Sequence, residues 1–167
     1  MKMRRFTPIP SMTLVVLLAT LLGSVGADDR KGDDRKLEGT WDVILRFPEE
    51  TCNREECNCI PPEIPVRNVN TFLKHGSMLW TGSNLRVGPG QGRWERLRHN
   101  RFEAHFKFTI FDLDTGFSTG VEDVTQTIHF TGRDTYEGTM TYDLLDPAGK
   151  IVAEDCNVNI ESATRFE

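Results

Sequence analysis

The 167-residue chain is 38% hydrophobic and 27% charged, an ordinary globular balance that excludes a disordered or collagen-like protein. A formal net charge of −5 at pH 7 leaves no overall attraction for nucleic acid or an anionic membrane. No Gly-x-Ser-x-Gly, His-Glu-x-x-His or phosphate-loop signature is present, so the common hydrolytic and nucleotide chemistries have no motif to rest on.

The chain opens on Lys2, Arg4 and Arg5, followed by the apolar run Met12 to Leu22 and the small residues Gly23-Ser24-Val25-Gly26-Ala27. That order is the pattern of a secretory signal cut after Ala27. The apolar run is only about half of the roughly 20 residues a membrane helix needs. Residues 1–27 therefore read as a signal peptide and the mature chain as secreted or periplasmic, with no stable membrane span. Cleavage would remove three positive and no negative residues, taking the net charge from −5 to −8. Residues 28–36 (DDRKGDDRK) contain no apolar side chain and read as a solvated, charged leader. Residues 37–167 are then a single domain, long enough to bury about two-thirds of its unfolded surface.

Export changes the meaning of Cys52, Cys57, Cys59 and Cys156. An even number of cysteines in an oxidising compartment predicts two disulfides. A bond between Cys57 and Cys59 would close a very small, strained ring, so either Cys57 or Cys59 is expected to reach Cys156. The alternative is a zinc site of three thiolates and a histidine, for which Cys-x4-Cys-x-Cys is an unusual spacing. No cofactor is called for.

From Leu37 onward the apolar period is two. Thr40 to Phe47 is the first predicted strand, with Trp41, Val43, Leu45 and Phe47 on one face. Residues 48–63 form a Cys- and Pro-rich excursion. Val66 to Leu73 and Ser77 to Thr81 read as a hairpin around Lys74-His75-Gly76. Gly82 to Gly92 is a glycine-rich loop, and Trp94 to Arg98 a short strand ending at His99-Asn100. Phe102, Ala104, Phe106, Phe108 and Ile110 alternate with polar or charged residues, the mark of a half-buried strand. Asp112 to Gly120 turns into Val124, Gln126, Ile128 and Phe130. After Gly132-Arg133-Asp134 the inward set continues with Tyr136, Gly138, Met140, Tyr142 and Leu144. After the turn Asp146-Pro147-Ala148-Gly149 it ends with Val152, Cys156, Val158 and Ile160.

Pairing Phe130 with Tyr136 sets Gln126 on Met140, and pairing Leu144 with Val152 sets Met140 on Cys156. Even-numbered residues then share one face, and a one-residue slip would turn that face to water. About eight antiparallel strands without a covering helix must close on themselves or stack as two sheets. The expected fold is all-β, an antiparallel up-and-down barrel of about eight strands, with a β-sandwich as the alternative.

Gly39-Thr40-Trp41, opening the first strand, resembles the Gly-x-Trp of the lipocalin and avidin group, the calycin barrels. The resemblance implies a lipocalin-like barrel in which Trp41 closes the base and stacks on a late arginine, with Arg165 as the counterpart. Over residues 37–167 the chain also resembles a family of secreted bacterial β-barrel proteins with no assigned activity. The shared pattern is Gly-x-Trp, a Cys in the next loop, a second Gly-x-Trp (Gly92-Arg93-Trp94), and a last Cys followed by Ala163-Thr164-Arg165-Phe166-Glu167.

Two polar residues, Gln126 and Glu154, fall on the otherwise apolar and aromatic inward face. Burying an unpaired carboxylate is costly, so Glu154 is expected to be paired, protonated or near a barrel mouth. The barrel reading gives a candidate pocket for a small hydrophobic or amphipathic ligand, lined by Gln126, Glu154, Tyr136, Tyr142, Met140, Phe106 and Phe108. A barrel of eight strands either fills its interior or holds one small ligand. The alternatives are therefore a filled-core protein acting through its outer surface or Cys-rich loop, and a barrel-lining isomerase or cyclase using Glu154.

His105 and His129 fall on the outward face. They oppose each other if residue numbers in their hairpin sum to 234, and His129 meets Glu103 if they sum to 232. Asp112-Leu113-Asp114-Thr115-Gly116 carries part of a calcium loop's spacing but lacks its third acidic position and closing Glu, and reads as a turn. Arg86, Arg93, Arg96, Arg98, Arg101 and Lys107 make a basic region in an acidic protein, suited to an acidic partner. No catalytic or metal-binding set is assigned.

Overall fold

A computed structural model describes residues 36–52, 55–57 and 59–166; the expected signal peptide and all but the last residue of the charged leader lie outside them. Among the described residues eight strands follow one another around a ring: β1 (Gly39–Arg46), β2 (Val66–Phe72), β3 (Ser77–Gly82), β4 (Gly90–Arg98), β5 (Arg101–Phe111), β6 (Ser118–Phe130), β7 (Thr135–Leu145) and β8 (Ile151–Arg165). Each strand pairs antiparallel with the next, and β1 pairs with β8, so the sheet is a closed up-and-down barrel and not a sandwich. Closure leaves no edge strand with unpaired backbone groups. One helical turn, α1 (Glu49–Cys52), interrupts the β1–β2 excursion, and a 3₁₀ turn at Lys74–Gly76 joins β2 to β3. No helix among the described residues is long and apolar enough to cross a membrane.

Antiparallel order puts the β2–β3, β4–β5 and β6–β7 turns at the same end as Leu37 and Arg165, here called the base. The other four connections, including the Cys-rich excursion, gather at the opposite end, the mouth. At the base the Arg165 guanidinium carbon lies 4.2 Å from the Trp41 ring centroid, within cation–π range. Its Nη1 donates to the Glu38 carbonyl at 2.6 Å, its Nη2 donates to the Lys36 carbonyl, and its Nε pairs with Asp134 at 3.1 Å. Trp41 Nε1 donates to the Leu37 carbonyl at 2.8 Å. The arginine thereby joins the entering chain, the β6–β7 turn and the last strand.

Gly39 stands at φ +128°, and a Cβ there would lie 2.6 Å from Arg165 Nη1; only glycine meets both conditions. Gly92 of the second Gly-x-Trp serves a different purpose. A Cβ there would sit 2.0 Å from the His105 carbonyl oxygen, so its absence lets β4 close against β5.

The lower interior is filled. Trp41, Phe72, Phe102, Phe106, Phe130 and Tyr136 are each at most 1–2% exposed. Trp41 lies 4.9 Å from Tyr136 and 5.5 Å from Phe130, ring to ring, and Phe102 meets Phe130 edge-on at 5.5 Å.

The β6–β7 register pairs Phe130 with Tyr136 and Gln126 with Met140, as the pattern requires. The β7–β8 register differs from expectation. Met140 faces Val158, and Cys156 faces Tyr142. Three breaks interrupt this pairing, and the two nearest the β7–β8 turn, between Leu144 and Leu145 and between Tyr142 and Leu144, move these partners. Between Leu144↔Ala153 and Tyr142↔Cys156, β8 has two residues where β7 has one, and Asp155 sits at φ +53°. This β-bulge reverses the in-out phase, so Ala153 is buried and Val152, expected inside, is exposed. The third break separates Ile160 from Ala163. The β5–β6 hairpin pairs Arg101 with His129 and His105 with Thr125, a sum of 230 and neither expected value. His129 therefore meets Asn100 at 2.7 Å, and His105 meets Glu103 on its own strand at 2.9 Å.

Both disulfides form, Cys52–Cys59 and Cys57–Cys156. They consume the thiols that a zinc site would need, and they resolve the open pairing in favour of Cys57. The longer bond spans 99 residues and anchors the excursion to the buried side of β8.

Two predictions follow from this architecture. Arg165→Ala should cost about 2–4 kcal/mol, from the lost cation–π contact and charge-assisted hydrogen bonds; urea denaturation checks it, and a change within 0.5 kcal/mol refutes the clamp. Removing the long disulfide as Cys57→Ser with Cys156→Ser should cost about 3–5 kcal/mol, against about 2–3 for Cys52→Ser with Cys59→Ser. The reverse order of the two midpoints would contradict the loop-length account.

Candidate binding site at the barrel mouth

The seven residues expected to line one pocket are not brought together. Gln126, Tyr136 and Phe106 belong to the filled interior, each at most 1% exposed. Phe108, Met140 and Tyr142 lie nearer the mouth, where they line a cavity of about 40 Å³. Glu154 is exposed on the outer surface. The bulge around Asp155 turns it there, since period-two counting from Cys156 fails at an inserted residue.

The carboxylate that does reach the cavity is Glu122 on β6. It is two residues from Val124 and four from Gln126, in phase with both, and it pairs across the sheet with Phe108 and Leu144. Unbroken alternation back from Gln126 was the signal for it. Starting the strand at Val124 concealed it, because β6 begins at Ser118.

Two tiers of polar groups occupy the interior. In the lower tier, Asn70 Nδ2 donates to the Tyr136 hydroxyl at 3.2 Å and to Gln126 Oε1 at 3.5 Å. Burial raises the Tyr136 hydroxyl well above the usual phenol range, and hydrogen bonds with Asn70 and Gln126 pull it partly back. In the upper tier, Asn68, Trp80, Glu122 and Tyr142 line the cavity. Both polar side-chain atoms of Asn68 and the Trp80 Nε1 are buried without a hydrogen-bond partner among the described residues. Such groups cost about 1–3 kcal/mol each when left unsatisfied.

Trp80 is held by stacking on Phe108, ring centroids 4.5 Å apart and nearly parallel at 8°. Burial, with no cation to offset it, pushes the Glu122 carboxyl up to about 8. The nearby Tyr142 hydroxyl is raised by its own burial and further by the Glu122 charge.

A second hollow adjoins the cavity. A groove of about 360 Å³ shares Ile60, Val66 and Asn84 with it and adds Ile64, Pro65 and Arg86. The groove wall on one side is the excursion stapled by Cys52–Cys59, and on the other the β3–β4 loop. Chemically, the ensemble offers a half-buried acid, an amide and an indole N–H in the cavity, and an apolar stretch in the groove.

The other sequence candidates are surface features. Asp112 Oδ1 accepts from the backbone N–H groups of Asp114 and Thr115 and from the Thr115 hydroxyl, which makes the DLDTG segment a capped turn. Arg93, Arg96, Arg98 and Arg101 are exposed at the β4–β5 hairpin, and Lys107 pairs with Asp123 at 2.6 Å. Compared with protein-family models, curated proteins and solved structures, the chain matches none of them.

Glu122 makes stability depend on pH. Below its ordinary value of 4.5 the carboxyl is protonated in both folded and unfolded chains. Between 4.5 and about 8 the unfolded chain releases a proton that the folded one keeps, so stability falls as pH rises, and it levels off above that window. The loss should be on the order of 3 kcal/mol, discounted for partial solvent access. Glu122→Gln should flatten the pH 5–8 slope in thermal melts; an unchanged slope would show that Glu122 is not the titrating group.

Proposed function

We propose that this chain is an exported binding protein that takes a small amphipathic molecule into the mouth of its barrel. The observation that carries the reading is the gathering of Asn68 and Trp80, whose buried polar atoms lack partners among the described residues, with the half-buried acid Glu122 in the lining of one cavity that shares wall residues with a neighbouring groove. A ligand supplying hydrogen bonds there would relieve costs that the fold otherwise bears alone. Sites of function commonly carry such local disagreements with packing. Export is supported by the N-terminal pattern and by two disulfides, which persist in oxidising compartments. Kinship with the calycin barrels is supported by the Gly-x-Trp opening and by Arg165 over Trp41.

A filled-core protein acting through its surface is the second reading. It is favoured by the size of the inner cavity, about 40 Å³, against the roughly 300–1,000 Å³ of drug-sized sites. On the leading reading only a head group enters the cavity, and the rest of the molecule lies in the groove.

Native mass spectrometry of the protein purified from its own host separates the two readings. A bound small mass that leaves on denaturation is the expected result, and Asn68→Leu should lose that mass while gaining about 1–2 kcal/mol in stability. Wild-type protein emerging as a bare chain would favour the filled barrel.

A further inference from the structure

The geometry points to a small organic ammonium as the ligand of the mouth, its charged head beside Glu122 and its short apolar tail along the groove past Ile60. This rests on the reading of the mouth as a binding site and names the class of molecule that fits it. The argument is one of charge and surface. Among the described residues the cavity lining contains one carboxylic acid, Glu122, and no lysine, arginine or histidine. An anionic head would therefore meet only an acid there. A cationic head would supply the counter-charge that the burial of Glu122 lacks.

Three further features suit a cation. The Asn68 Oδ1 is a second acceptor without a donor. Trp80, Phe108 and Tyr142 provide aromatic surface in the same lining, of the kind that attracts ammonium groups. The small inner volume, about 40 Å³, admits a compact head and excludes a bulky one. Beyond the cavity, Ile60, Ile64 and Val66 line the groove, an apolar path for an alkyl chain.

A pH dependence accompanies the charge pairing. Among the described residues the only other titratable group in the cavity lining is Tyr142. Lys107 and Asp123 pair with each other on the outward face of β5 and β6, and Asp143 lies opposite Asp123 on β7. Arg86 stands beyond the cavity, in the groove, near Asp112. Binding an ammonium requires the Glu122 carboxylate, so affinity should rise about tenfold per pH unit as pH approaches 8 from below. An alkylammonium itself keeps its proton until roughly pH 10.

The test is a titration of the mature, disulfide-intact protein with n-butylammonium, n-butanol and butyrate, followed through the Trp80 indole N–H signal in NMR spectra at pH 6, 7 and 8. Wild type should bind butylammonium, more tightly at pH 8 than at pH 6, and Glu122→Gln should weaken it at least tenfold and remove the pH dependence. Butyrate should not bind. If butanol binds wild type as well as butylammonium does, or if Glu122→Gln leaves butylammonium affinity unchanged, the ammonium class is overturned and the binding site stands. If none of the three probes shifts the Trp80 signal in folded wild type, both the ammonium class and the binding site fall.

Discussion

Closure between the first and last strands is the constraint on which the rest of this protein depends. Eight strands with short turns bury one face only if β1 finds β8, about 120 residues later in the chain. The contact that marks the meeting is a single arginine, Arg165, lying over Trp41 and holding the carbonyls of Lys36 and Glu38. A guanidinium suits this position because its planar face stacks on an indole while its edge donates several hydrogen bonds in fixed directions. Gly39 is the price of that geometry, since the chain must pass the arginine at a distance no Cβ would tolerate.

Closing the base in this way leaves a lower interior filled by aromatic side chains and a small cavity nearer the mouth. Near the clamp, large aromatic side chains interlock, and Asn70 donates to Tyr136 and Gln126 while its own Oδ1 and the Gln126 Nε2 stay without partners among the described residues. Toward the mouth, the lining includes a half-buried acid, and an amide and an indole N–H whose polar atoms lack partners among the described residues. The disulfides reinforce this division. Cys57–Cys156 pins the excursion to the barrel wall, and Cys52–Cys59 gives the excursion its own small ring, so a loop with little regular structure becomes one wall of a groove.

The bulge at Asp155 links the two themes. It sits in β8 close to the long disulfide and reverses which residues face inward. Ala153 turns in and Glu154 turns out, leaving Glu122 as the acid of the cavity. The Asp155 backbone N–H donates to Asp143 Oδ1 at 3.1 Å, so the strained residue is held by its neighbouring strand. One inserted residue thus turns Glu154 to solvent, while the half-buried Glu122 on β6 remains the acid of the cavity lining.

Much of this was legible in the sequence. A period of two from Leu37 onward, turns at Gly132-Arg133-Asp134 and Asp146 to Gly149, and the absence of any helical stripe determine an antiparallel barrel or sandwich. Four cysteines behind an export-like N-terminus point to two disulfides. The register of the β6–β7 hairpin was legible too, because a tight turn transmits pairing locally. Alternation along one strand carries no information about an extra residue, however, so the β8 bulges, the exposed Glu154 and the shifted Cys156 partner were decided by the tertiary structure alone. The choice of Cys57 over Cys59 and the gathering of Asn68, Trp80 and Glu122 from three separate strands have the same origin. Each depends on how distant strands meet when the sheet closes, and closure is a property of the whole ring that no local pattern encodes.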